Sequence, residues 1–435
     1  MRKVGSFFFG ALATLVVLSV AGFALYQIPP IQERLAWRLD ALQSKIKYTF
    51  SPPEQVIFVP QDQIDRVVQA TLAALTPTRM PTATASPSPT AAPAETQTPQ
   101  VSPTATLVPT PIPGEVDLKG IIHEYQKWNN CGPATLAMAL TYWGWKGDQR
   151  DTAPYLKPND RDKNVMPYEM KDYVDTQTKF RAVVRVGGDL DLLKRLIAAG
   201  FPVVVEKGFV VSKEGWMGHY EVVNGYNDAK AQFITQDSYI MANLPVPYQE
   251  MQTFWQNFNY LYLVIYPPDR EQEVMAVLGP AADETTAFQE AVLVASNETV
   301  QTNGRALYFA WYNRGTNLVN LGDYAGAAQA YDEAFNVYPT IAEKDRPWRN
   351  IWYQTGPYFA YYYTGRYQDV INLARTTLDY LSNEPTLEES WVWKARAEAV
   401  LGDTKTAIDD LHNALKYHEG FVPALEELQS LGAGN

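Results

Sequence analysis

The sequence predicts two globular parts of different class, a mixed α+β domain and then an all-α solenoid, set behind an apolar N-terminal helix and a disordered linker. Three observations lead there. An uncharged run extends from Val4 to about Ile31, a Thr/Pro/Ser/Ala-rich stretch without apolar period comes next, and helix and strand signals then alternate before giving way to purely helical periodicity near Pro267-Pro268. The predicted segments are a cytoplasmic tip and transmembrane anchor over 1–29, a juxtamembrane helical stalk over 30–75, the linker over 76–114, the mixed domain over 115–270 and the solenoid over 271–435. A length of 435 residues suits two or three domains.

The N-terminal run is long enough for a bilayer, which a helix crosses with about 20 apolar residues. Arg2 and Lys3 precede it and favour a cytoplasmic N-terminus with the remainder outside. A cleaved signal peptide has a shorter apolar core, about 7–15 residues, so an uncleaved single-pass anchor is the preferred reading; both readings put the bulk of the chain outside the cytoplasm. Ile31, Leu35, Leu39, Leu42 and Ile46 recur at helical spacing, as in a stalk that self-associates or a helix that lies on lipid. The Thr/Pro-rich linker cannot bury enough apolar surface to offset its ordering entropy. Proline keeps it extended, so it is read as a spacer that holds the globular parts away from the membrane.

A net charge of −12 argues against nucleic acid as a partner, because phosphate binding needs a clustered positive footprint. A single cysteine excludes a disulfide framework and any four-cysteine zinc site. Asp148, Asp151, Asp160 and Asp162 do not match the calcium-loop spacing, and neither metal nor cofactor is expected. The cysteine itself is a small core residue, a surface thiol or a nucleophile, and its neighbours must decide.

Those neighbours are informative. In the stretch from Gln126 through Trp128-Asn129-Asn130-Cys131-Gly132-Pro133 to Leu140, Pro133 suits a first helical turn, Asn129 and Asn130 suit helix entry, and Gly144 suits a stop. Cys131 therefore falls at a helix N-terminus, where the dipole and free N–H groups lower a thiol pKa. Gln126, on the entering loop, can offer its side-chain amide to the same carbonyl oxygen and, with the Cys131 N–H, form an oxyanion hole. A thiolate also needs a base. His219 begins a strand that runs through Gly225, Asn227-Asp228 supplies a turn, and Phe233 to Asp237 reads as the returning strand. A hairpin turning around Asp228 sets Asp237 roughly opposite His219, where a carboxylate orients an imidazole. A slip of one residue would move the side chains to the other face. His123 is a spare that can flank the groove, and His412 and His418 lie in the solenoid, far from this domain. Trp128, Trp145, Trp216, Tyr220 and Tyr239 suit either a peptide groove or a core.

Gln126, Cys131-Gly132-Pro133 at a helix start, His219 on a strand and Asp237 on the next together resemble the papain-like peptidases that process double-glycine leaders in bacteriocin export, and most nearly their stand-alone peptidase C39-like branch. The resemblance covers roughly residues 114–268. It implies a helix packed on an antiparallel sheet, with Cys131 as nucleophile, His219 as base, Asp237 orienting the base and Gln126 completing the oxyanion hole. Those exporters are fused to a transporter, which this sequence does not show, so a double-glycine leader is not the expected substrate.

Gly322-Asp323-Tyr324, Gly365-Arg366-Tyr367 and Gly402-Asp403-Thr404 recur at about forty-residue spacing. Trp311, Gly315, Leu318, Gly322, Tyr324, Ala327, Tyr331, Ala334 and Pro339 resemble the tetratricopeptide pattern. A second unit around Tyr358 is degenerate, with Pro357 inside its first helix, and a helix from about Glu284 to Ser296 caps the stack or links it to the catalytic domain. Such solenoids bind peptides or proteins on a concave face. The expected protein is thus a membrane-anchored, extracytoplasmic cysteine peptidase whose repeats recruit substrate or a protein partner. The alternatives are a non-catalytic adaptor and an amidase or acyl transferase acting on cell-wall peptides.

Overall fold

A seven-stranded antiparallel sheet organises the first globular part of the computed structural model, which describes residues 58–61, 63, 112–159, 161–211, 215–379 and 385–434. The predicted anchor, most of the stalk and nearly all of the linker lie outside the described residues. Among the described residues no helix is long and apolar enough to cross a membrane.

The strands are β1 (Glu115–Asp117), β2 (Arg181–Arg185), β3 (Val203–Val211), β4 (Gly215–Asn227), β5 (Gln232–Gln236), β6 (Leu244–Pro247) and β7 (Tyr262–Tyr266), in the order β2-β7-β3-β4-β5-β6 with β1 beside the far end of β4. Val203-Val204-Val205 in β3 is apolar without a break because helices cover both faces. Val204, Val222 and Leu263 pack with α1 (Cys131–Tyr142) and α3 (Pro167–Gln177), while Val203, Val205, Val223 and Val264 pack with α4 (Leu190–Ala198) and α5 (Tyr248–Trp255). A short α2 (Gln149–Leu156) comes after α1, and Thr152 Oγ1 donates to Pro133 O at 2.9 Å, fixing it to the first turn of α1. The α+β expectation, a helix on an antiparallel sheet, is met.

After α6 (Glu271–Leu278) only helices remain. α7 (Glu284–Gln301) is the predicted linking helix. It reaches the sheet domain so closely that a Cβ on Gly187 would stand 3.0 Å from that of Ala291. The repeats are α8 (Gly304–Asn320) with α9 (Tyr324–Val337), α11 (Gly356–Tyr363) with α12 (Tyr367–Asp379), and α13 (Glu388–Val400) with α14 (Thr404–Tyr417), closed by α15 (Val422–Ser430). Gly315 is small because the Tyr331 ring lies 2.8 Å from where its Cβ would be. Gly322, Gly365 and Gly402 take φ of +78°, +78° and +91° in the inter-helix turns, a region other residues avoid. The long period comes from residues 338–355, which insert the short α10 (Asn350–Tyr353) between units. Pro357 lies inside the first helix of the second unit, as expected, but at its start. It stands in the first turn of α11, where a missing N–H leaves no bond unmade.

The two parts share one core. Trp216 and Phe258 of the sheet domain pack with Phe309, Tyr331 and Tyr358 of the repeats. Across the joint, Arg349 Nη1 donates to Trp216 O at 2.8 Å, Asn313 Nδ2 to Gln256 O at 2.7 Å, and Gln354 Nε2 to Asn257 O at 2.8 Å. The segment preceding the linker also lies on the repeats. Phe58 is buried against Phe335, with ring centroids 5.0 Å apart, Gln61 N donates to Asp369 Oδ1 at 2.8 Å, and Gln63 Nε2 donates to Asp332 O at 3.2 Å. Residues 64–111, and with them the spacer expectation, lie outside the described residues.

Candidate active site

Cys131 is the first residue of α1. Asn130 holds the N-cap position without a side-chain capping bond, contrary to the expected role. Its Nδ2 instead donates to Gln149 Oε1 at 3.1 Å, tying the loop to α2. Gly132 is required by close packing, since its Cβ would lie 3.0 Å from that of Val165. Thr135 Oγ1 donates to Tyr220 O at 3.0 Å and so locks the first turn of α1 onto β4, one residue past His219. The thiol is deep-set yet partly accessible.

His219 is 3% exposed on β4, with the Phe209 ring stacked on it at 5.0 Å and Tyr239 edge-on at 6.5 Å. Its Nε2 stands 3.1 Å from Asp237 Oδ2, close but not aligned for a linear hydrogen bond. Asp237 Oδ1 accepts the backbone N–H groups of Tyr239 and Ile240 at 2.7 and 2.8 Å, which fixes the carboxylate. The predicted pairing of Asp237 with His219 is corrected. The hairpin turns at residues 228–230, pairs Gly225 with Ile234, then slips one residue at Asn224 and pairs Val222 with Gln236. One step further along this register, Asp237 falls opposite Glu221. Because side chains alternate, Glu221 shares the face of His219, and the carboxylate meets the imidazole on the diagonal. Without the bulge Asp237 would fall opposite Val222, on the other face.

The electrostatics arise from these contacts. Burial alone would raise the Cys131 pKa. The hydrogen bond to His219, its charge, the Tyr220 N–H and the field of Lys157 outweigh burial and hold the thiol below its ordinary value. For His219, burial opposes the charged form, but the charge and close contact of Asp237, and then the Cys131 hydrogen bond, raise it to about 10. Burial works against Asp237 ionisation too, yet the His219 charge and the Tyr239 and Ile240 N–H groups hold it at about 2. Both shifts favour a thiolate paired with an imidazolium.

Gln126 is joined to the same hairpin. Its backbone N–H donates to Ser238 O and Ser238 Oγ donates to its Oε1, both at 2.9 Å. Its Nε2 has no partner among the described residues. The structure therefore brings Cys131, His219, Asp237 and Gln126 together. His123 is not a second base here; its Nε2 lies 2.9 Å from Asp237 O and its ring meets Tyr125 edge-on. His418 is not remote as expected. It lies at the joint between domains, in the field of Asp162 and Glu169. Trp216 and Tyr220 are core residues, whereas Trp128 is exposed.

Sequence reasoning missed Ser238, Lys207, Glu221 and Tyr353. Lys207 Nζ pairs with Glu221 Oε1 at 3.1 Å, both buried beside His219. Strand alternation could have found Glu221, two residues from His219, and Ser238 adjoins Asp237. Nothing in the sequence points to Tyr353, whose hydroxyl oxygen accepts from the Gly218 N–H. Among the described residues no group of three His, Cys, Asp or Glu is placed to hold a metal ion.

Residues 118–263 match the family model of the peptidase C39-like family. The first globular part is a C39-like peptidase domain. Residues 308–341, which are α8, α9 and the turn after them, match the tetratricopeptide repeat. No curated protein matches the chain. A solved structure described as a putative C39-like peptidase from Bacillus anthracis aligns at 17% identity over 35% of this chain and 97% of its own, with a TM-score of 0.28. The matches agree with the two families that the sequence resembles, and Cys131, His219, Asp237 and Gln126 all lie within the span 118–263.

Proposed function

We propose that the chain is a cysteine peptidase that hydrolyses peptide bonds through Cys131, His219 and Asp237. The observation that carries this reading is the continuous contact from the Cys131 thiol to His219 and from His219 Nε2 to Asp237 Oδ2 at 3.1 Å. The thiolate attacks the carbonyl carbon and forms a C–S bond. The oxyanion takes hydrogen bonds from the Cys131 N–H, which as a first-turn donor has no helical acceptor, and from Gln126 Nε2. His219 gives its proton to the amine as the C–N bond breaks. A water then loses a proton to His219 and attacks the acyl-enzyme, the C–S bond breaks, and thiolate and imidazolium are restored. The apolar run in residues 1–29 anchors the protein with residues 30–435 outside the cytoplasm, and the C39-like domain and repeats fall at about 115–270 and 271–435. Arg2 and Lys3 before the run, and its length, support the first statement.

Alkylation tests the site. Cys131 is the chain's one thiol, so iodoacetamide incorporation into the full chain in detergent reports it alone. Fast labelling that persists well below about pH 7 and falls in His219→Ala is expected. An ordinary thiol profile near about pH 8.5, unchanged in that variant, would remove the catalytic reading.

A further inference from the structure

A cleft of about 380 Å³ lies between the C39-like domain and the repeats, and both contribute its walls. Phe258 and Glu206 come from the sheet domain, Tyr353, Phe359, Trp393 and Glu389 from the repeats. It adjoins the nucleophile. Gly132 rests on Val165, the next residue, Met166, lines the cleft, and the Tyr353 hydroxyl oxygen accepts from the N–H of Gly218, next to His219. Glu206 is 3% exposed and lies within the electrostatic field of Cys131.

The charge in this cleft is one-sided. Its arginine, Arg396, is already paired with Glu427 at 2.6 Å. Glu206 and Glu389 have no cationic partner among the described residues. The Tyr220 hydroxyl donates to Val165 O at 2.9 Å, and its contact with Glu206 favours the ionised carboxyl without offsetting the burial. Burial, chiefly, pushes both carboxyls well above the usual range, and the Cys131 thiolate adds to this at Glu206. A cation entering the cleft would remove that penalty, letting the carboxyls ionise against it and separating Glu206 from the thiolate. Aromatic rings along the walls suit the methylene stem and head of a long basic side chain.

We propose that this cleft is a substrate subsite that takes a lysine or arginine side chain on the acyl side of the scissile bond, with Glu206 and Glu389 as its acceptors. The proposal rests on the peptidase reading above. The repeats then form a wall of the active site in cis, and the cleft selects the peptide by charge and length.

Tripeptidyl chloromethyl ketones test it on the full chain, with lysine, arginine, norleucine or glutamate at each of the three positions in turn. The second-order rate of Cys131 modification is read alongside that of iodoacetamide. At one position the basic probes should react at least about tenfold faster than norleucine, a difference of about 1.4 kcal/mol, with glutamate slowest. Glu206→Gln and Glu389→Gln should each bring the ratio of lysine to norleucine toward one, whatever they do to the absolute rates. Equal rates for basic and norleucine probes at all three positions, with iodoacetamide still fast and His219-dependent, would overturn the subsite and leave the peptidase reading intact. Slow, His219-independent iodoacetamide labelling would overturn both.

Discussion

At Cys131 the balance is between burial, which opposes a thiolate, and four contacts that favour it, His219 foremost. With His219 raised to about 10 and Asp237 held at about 2, the charged arrangement spans the whole neutral range. The linkage runs in opposite directions for the two partners. His219, raised above its unfolded value, contributes stability that is full below about pH 6.5 and lost as pH rises through about 10. Asp237, depressed, contributes stability present above about pH 4 and lost as pH falls toward about 2. Asp237→Asn should leave the fold intact and lower kcat by about 10²–10⁴-fold, with the alkaline limb of the rate profile moving down toward the ordinary histidine range, as steady-state kinetics across pH would read. Gln126→Ala should lower kcat by about 10²–10³-fold with little change in KM, the mark of an interaction made to the oxyanion. Ser238→Ala should reproduce part of that loss, because it frees the Gln126 amide to rotate. Cys131, His219, Asp237 and Gln126 were legible in sequence because helix-entry and hairpin signals are local. Ser238 and Lys207 were not, since their roles exist only once strands distant in sequence are paired.

Whether those residues meet depends on β4 and β5 keeping a one-residue irregularity. The turn near Asp228 was legible, and so were both strands, yet a regular hairpin from the turn as formed, at residues 228–230, puts Asp237 opposite Val222 on the helix-covered face. The slip at Asn224 restores the face shared with His219. Asn224 is held from two sides. Its Nδ2 donates to Leu118 O and its Oδ1 accepts from Gln236 Nε2, both at 3.1 Å. No sequence signal marks such a bulge, because it is stabilised by β1 arriving from residues 115–118. Asn224→Ala should cost about 1–3 kcal/mol from unpaired buried groups, seen as a lower midpoint in chemical denaturation. It should also slow iodoacetamide labelling at pH 5, where only the paired thiolate reacts. Gly225→Ala should act in the same direction, since its Cβ would lie 2.7 Å from Val116 O and push β1 away. Unchanged low-pH labelling in either variant would mean that the register of this hairpin does not set the triad.

Across the whole molecule, two parts were legible in the sequence but their joint was not. Helical periodicity announced the repeats, and the glycine turns set their number. The burial of Trp216 among repeat aromatics and the docking of Phe58 depend on surfaces that neither segment shows alone. The joint also concentrates carboxyls. Asp162 and Glu169 of the C39-like domain face Glu388 and Glu389 of α13, with Lys157 and His418 as the basic groups in range. Burial is the largest cause of each acid's shift, raising Asp162 to about 6, Glu169 to about 8 and the other two well above the ordinary value. An acid whose pKa is raised on folding contributes stability that is full below its unfolded pKa, about 4, and is lost as pH climbs through the folded value. Burial holds His418 below the usual histidine value, so it is neutral above about pH 6.5 and adds no compensating charge there. Tm should therefore fall as pH rises from about 6 to 9, and amide exchange should quicken first at α13 and at the entry to α3, while Cys131, whose His219 partner stays charged up to about pH 10, keeps its reactivity. Glu169→Gln combined with Glu389→Gln should flatten the slope, because an amide stays neutral in the same place. A slope that survives both substitutions would assign the alkaline weakness to groups away from the joint and leave the domains bound by their aromatic core alone.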